Sequence, residues 1–124
     1  MKVLSQKEFK LLEQYSSIFD VTEKTIFAYD GNIYSNYQLV PHLLVHEMTH
    51  LKQQEKYGLE QWVYNFLASV EFRLKMEVEA YRKQLASIKD RNFRMKIRIA
   101  SAKTLSSSLY GDIINYEKAY ALLK

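Results

Sequence analysis

All three histidines of the chain, His42, His46 and His50, fall in one short stretch, and the last two bracket a glutamate in His46-Glu47-Met48-Thr49-His50. This is the HExxH pattern. Helix positions four apart project from one face about one turn apart, so both imidazoles reach a single tetrahedral metal ion while Glu47 points to the ion's open side. A carboxylate held there can take a proton from a metal-activated water, which is the chemistry of metal-assisted hydrolysis. The plainer account makes His46 and His50 hydrogen-bonded core histidines with Glu47 as their partner. The metal site is preferred because the pattern falls on a stretch predicted to be a buried helix.

Two histidines do not complete a catalytic zinc site, which usually has three protein ligands and a water. The chain has no cysteine and no histidine after His50, so the third ligand is sought among Glu71, Glu77 and Glu79 of the next helix. Helical phase separates the last two. Glu77 continues the apolar stripe of Phe66, Val70, Leu74 and Tyr81 and faces the core, where a carboxylate needs a partner such as a metal ion. Glu79 points about 200° away, among Lys75, Arg82 and Lys83, and reads as a surface residue in weak ion pairs. His42 lies on the same broad face as His46 but too far along it to ligate, so it either lines the cleft or is an exposed histidine near the helix start. Gln53 and Gln54 continue that face, from which they can orient a ligand; solvated glutamines are the default reading.

The elements that must hold these groups follow from periodicity and punctuation. Ser5 and Glu8 form a capping box, and Phe9, Leu12 and Tyr15 recur at helical spacing, predicting a first helix to about Ser16. After an exit loop from Ile18 to Thr22, Thr25–Tyr29 and Ile33–Ser35 flank Asp30-Gly31-Asn32, a hairpin signal. Pro41 opens a second helix and Gly58 closes it after Tyr57. Leu43, Leu44, Val45, Met48 and Leu51 spread around more than half its circumference, which predicts burial between other elements and places its histidines inside or on a cleft. From Leu59 to about Lys89 nothing breaks the pattern, so one long third helix is expected. A fourth runs from about Arg91 to Ser107, and Asp112 caps a last one carrying Ile113, Tyr116, Tyr120 and Leu123. The fold class is α+β and mostly helical, with residues 1–124 as one domain.

Composition narrows the function further. With 48% apolar and 26% charged residues among 124, the chain is too apolar for a disordered protein and buries a core. Without cysteine it has no disulfides, no thiol nucleophile and no cysteine-based zinc ribbon. Met1 to Glu8 turns polar after two apolar residues, and no stretch approaches the length of a membrane span. A soluble, cytoplasmic protein with no membrane partner is expected.

With these residues in place, the sequence resembles the small gluzincin-type zinc metallopeptidases, in minimal forms like those of phage and bacteria. The resemblance rests on His46-Glu47-Met48-Thr49-His50 and Glu77-Val78-Glu79-Ala80-Tyr81 and extends over roughly Thr25 to Tyr81. It implies a zincin-like fold in which the 25–35 hairpin lies beside the HExxH helix and offers an edge to an extended peptide; from the sequence alone, a plain structural hairpin capping the helices is an equal alternative. It implies one zinc ion per chain on His46, His50 and Glu77, the first glutamate of a Glu-x-x-Ala/Ser-Asp pattern. Glu47 would be the general base, and a protein or peptide the substrate. Such families add a donor to the oxyanion or to a ligand, for which His42, Tyr57, Tyr81 and Tyr110 are the candidates. They also place an aspartate after the small residue to orient a ligand histidine. This chain has Tyr81 there, so its histidines must be oriented in another way.

Lys89 to Lys103 carries six cations interleaved with Phe93, Ile97 and Ile99. Nucleic-acid binding is the sharper account of this segment; a solvated helix face is favoured over it. The rival function is therefore a non-enzymatic zincin-like protein with a structural metal that binds nucleic acid or protein through its basic helix. Glu47, useful chiefly as a base, speaks for the enzyme.

Overall fold

The computed structural model describes residues 1–124, Leu109 by its backbone alone. Asp30 and Gly31 both have positive φ, 50° and 82°, the geometry of a two-residue turn that matches strand twist and that glycine adopts freely. It joins β2 (Phe27–Tyr29) to β3 (Asn32–Tyr34) in antiparallel register, Ala28 opposite Ile33. A strand not expected from sequence, β1 (Val3–Leu4), pairs parallel with β3, giving the order β1-β3-β2. Two residues are too few to show alternation.

The expected first helix is split. The capping box opens a single 3₁₀ turn over Gln6–Glu8, and α1 spans Leu12–Ser16. Phe9 between them is extended and buried, with its ring 4.4 Å from that of Phe27. Packing on the hairpin thus overrides local helix propensity.

Pro41 occupies the first turn of α2 (Pro41–Tyr57), and Gly58, at φ 87°, ends it. The helix packs between other elements with His46 and His50 inside, as expected, but the face it buries is polar. The residues it buries are His46, Glu47, Thr49, His50, Gln53 and Gln54, whereas Met48 is 39% exposed. A helix that hides its polar face must satisfy those groups internally.

The long helix expected next is two. α3 (Leu59–Ala68) stops at Ser69, whose hydroxyl accepts from the Phe72 N–H at 3.1 Å and caps α4 (Val70–Ala86). The buried Arg73 donates to the carbonyls of Phe66 (2.9 Å) and Leu67 (3.1 Å) at the end of α3. These bonds hold the bend, which lets α3 and α4 both pack on α2.

Asp90 caps α5 (Arg91–Leu105). α6 (Tyr116–Leu122) begins at Asn115, whose side chain accepts from Lys118 N–H, and not at Asp112. Asp112 has φ 51°, in the turn after Gly111, so its backbone cannot enter a helix there.

Two apolar clusters result. One joins Phe9, Tyr15, Phe27, Trp62, Phe66 and Met76; the other joins Leu85, Ile88, Leu105, Tyr110 and Leu123. Helix α4 contributes to both. Among the described residues the architecture is six α-helices and one small sheet, and no helix is long and apolar enough to cross a membrane.

Candidate metal centre

On α2, His46 and His50 turn their Nε2 atoms toward Glu77 of α4. Glu77 Oε1 lies 3.1 Å from His46 Nε2 and 2.6 Å from His50 Nε2. Ligand atoms of the three residues all lie within 4.8 Å of one another, so the group can hold a metal ion. Both histidines are buried and Glu77 nearly so. Of the other carboxylates weighed from the sequence, Glu71 and Glu79 are exposed and outside this group.

Each imidazole spends its other nitrogen on a glutamine. His50 Nδ1–H donates to Gln53 Oε1 at 2.9 Å. That amide is locked in orientation, because its nitrogen donates to Met76 O (3.0 Å) and Glu79 Oε1 (2.7 Å). His46 Nδ1–H donates to Gln84 Oε1 at 2.8 Å, and Gln84 Nε2 donates to His42 Nδ1, also at 2.8 Å. Gln53 and Gln84 are each 3% exposed. They supply the orientation that an aspartate would otherwise give, fixing both tautomers with Nε2 toward Glu77. Gln53 is buried and meets His50, the ligand-orienting alternative and not the solvated one, whereas Gln84 was not identified from sequence, where no local spacing marks it. His42 is the outer partner of Gln84, and its ring meets Phe93.

Three electron-rich atoms facing one another require a proton or a cation among them. In the metal-free chain protons serve. Burial opposes the charged His50, but the charge and hydrogen bond of Glu77, with Glu47, outweigh it and raise its pKa to about 9. Burial acts against the Glu77 carboxylate too, and His50 and His46 more than offset it, holding the carboxyl well below its usual range.

Glu47 is 8% exposed and lines the same cavity. No described residue donates a hydrogen bond to its carboxylate. Burial pushes its pKa up, only partly countered by His46 and His50. The carboxylate therefore opens on the cavity without a protein partner, and a shifted pKa in a cleft makes it a candidate functional group.

The tyrosines divide by what their hydroxyls touch. Tyr110 donates to Glu77 Oε2 at 2.6 Å, so it presents Oε1 to the histidines. Tyr81 lays its ring edge-on to His46, with centroids 4.5 Å apart, while its hydroxyl meets Thr104. Tyr57 packs on Phe72, away from the cavity. Sequence reading missed Tyr15, which counted only as an apolar position on the first helix. Tyr15 lines the cavity, and its hydroxyl is the one buried side-chain polar atom without a hydrogen-bond partner among the described residues.

An unsatisfied buried hydroxyl costs about 1–3 kcal/mol, so Tyr15→Phe is expected to raise the melting temperature by about 3 °C or more. A lowered melting temperature in a calorimetric scan would show that the hydroxyl is stabilising.

The cavity has a volume of about 200 Å³, and Phe27, Trp62 and Phe66 give it aromatic walls. Strand β2 runs along it. Part of the β2 edge is already taken: Gln54 Nε2 donates to Ala28 O (2.7 Å), and Gln54 Oε1 accepts from Asp30 N–H (3.0 Å). Only the stretch up to Ala28 remains for a ligand backbone. No protein-family model matches the chain, and no curated protein or solved structure shows significant similarity to it.

Proposed function

We propose that the chain is a zinc-dependent peptidase. The observation that carries this reading is Glu47, a largely buried residue whose carboxylate has no protein partner and opens on the cavity beside two histidines and a glutamate that converge on one point. A structural metal site has no use for such a group. The HExxH helix packed against the edge strand of a small sheet supports a zincin-like reading of the fold.

The residues fit zinc. Bonds of about 2.0–2.1 Å in a tetrahedron put neighbouring ligand atoms roughly 3.3 Å apart. The present separations of 3.1 and 2.6 Å, with the two histidines at most 4.8 Å apart, lie within about 1.5 Å of that spacing. When bound, zinc polarises the scissile carbonyl and lowers the pKa of a water. The chain does the rest. Gln84 and Gln53 keep both Nε2 lone pairs aimed inward, and Tyr110 keeps Glu77 Oε1 presented. Glu47 takes the proton of the attacking water and delivers it to the leaving amine, a role suited to a carboxylate whose pKa burial has raised. The aromatic walls favour a peptide with an apolar side chain next to the scissile bond.

Chelator-stripped protein restored with zinc should cleave an unfolded protein or a peptide library, with new termini read by mass spectrometry. Zinc-loaded protein that produces none would remove the peptidase reading. The glutamines have their own test: Gln84→Leu and Gln53→Leu should each lower zinc affinity about 10- to 100-fold in competition with a chromophoric chelator. Unchanged affinity would mean that they do not orient the ligands.

A further inference from the structure

Arg82 of α4, Arg91, Arg94 and Arg98 of α5, and Lys124 line a second cavity of about 400 Å³. Its lining includes the buried Leu85 and Leu123 and the exposed Met95, and no acidic residue. None of these five cations has a carboxylate oxygen of a described residue within 4.0 Å. Two of them are fixed in place by neutral partners. Arg94 donates to Ile88 O at 2.7 Å, and Arg98 donates twice to Tyr120 O, at 3.0 and 2.6 Å, with its guanidinium 3.7 Å from the Tyr120 ring centroid. These contacts keep full charge on the guanidiniums and leave N–H groups unspent.

We infer that this cavity is a sequence-independent docking site for the phosphate backbone of a nucleic acid. Four of the five cations are arginines, whose planar forks match phosphate oxygens. Arg91, Arg94 and Arg98 follow one another at axial steps of about 4.5 and 6 Å on one rigid helix, a row suited to a chain of regularly spaced anions. Arg82 and Lys124 widen the row from neighbouring elements. The solvated-face account of this segment holds for Lys89, Lys96 and Lys103, which do not line the cavity, but not for Arg91, Arg94 and Arg98, which Arg82 of α4 joins around it. The inference does not depend on the peptidase reading, since no residue of the metal centre takes part.

The test is fluorescence anisotropy of a labelled, mixed-sequence single strand on the full chain. With about four phosphates engaged, affinity should fall roughly 50-fold between about 50 and 200 mM salt. Arg82→Gln/Arg91→Gln, both at exposed positions, should fold with an unchanged melting temperature and reduce that fall to roughly 7-fold. Should the double variant not fold, Lys124→Glu is to weaken binding in its place. Absence of binding at low salt, a flat salt response, or variants that bind like wild type would overturn the inference. So would complete displacement of the strand by millimolar inorganic phosphate, which would make this a free-phosphate site. Tighter binding of poly-glutamate through the same arginines would assign the cavity to an acidic protein instead.

Discussion

Replacing Glu47 by glutamine is expected to lower turnover about 10²–10⁴-fold, the range that a positioned general base contributes, while zinc affinity stays within a few fold. The substitution keeps size and shape in a buried position and removes only the ability to take a proton. Glu47 has no partner among the described residues to lose, so no network collapses. Because burial disfavours its charge, the variant should be at least as stable as wild type. A residue that served structure alone would give the opposite pattern, with stability reduced and turnover following it. Full activity in a folded, zinc-loaded Glu47→Gln would remove Glu47 from the mechanism.

Glu77→Ala carries the other large effect. Structural zinc sites bind with roughly 10–16 kcal/mol over four ligands, so loss of one ligand should weaken zinc binding on the order of 10²–10³-fold. Glu79→Ala should cost about tenfold at most, since Glu79 is exposed and reaches His50 only through Gln53. Isothermal titration of both variants compares them directly. An equal or reversed order would move the third ligand off Glu77.

The parts of this site that were readable in advance are those that coordination geometry imposes on local spacing. His46, Glu47 and His50 need only one helix to be related, and Glu77 was separable from Glu79 because a carboxylate on an apolar stripe breaks the helical pattern. The hairpin was equally plain, since the Asp30-Gly31 turn is a short-range signal. Gln84 was not readable: its contact with His46 depends on how α2 and α4 lie side by side, and a glutamine in an otherwise polar helix turn carries no mark. The break at Ser69 was hidden because apolar spacing continues across it, while the competing cap and the grip of Arg73 on α3 are tertiary facts. The polar inner face of α2 has the same origin. Its leucines spread round the helix, whereas His46, His50 and the glutamines claim the inner face and leave Met48 partly outside. Tyr15 was read by its ring; its unpaired hydroxyl shows only once the cavity is assembled.

The central claim, that His46, His50 and Glu77 hold zinc, is tested most directly by elemental analysis of wild-type protein purified without chelator and without a metal-affinity step. About one zinc per chain is expected, with the metal lost from Glu77→Ala prepared in parallel. A folded wild type that carries no metal and takes up none from added zinc would contradict the account and leave the two histidines as hydrogen-bonded core residues.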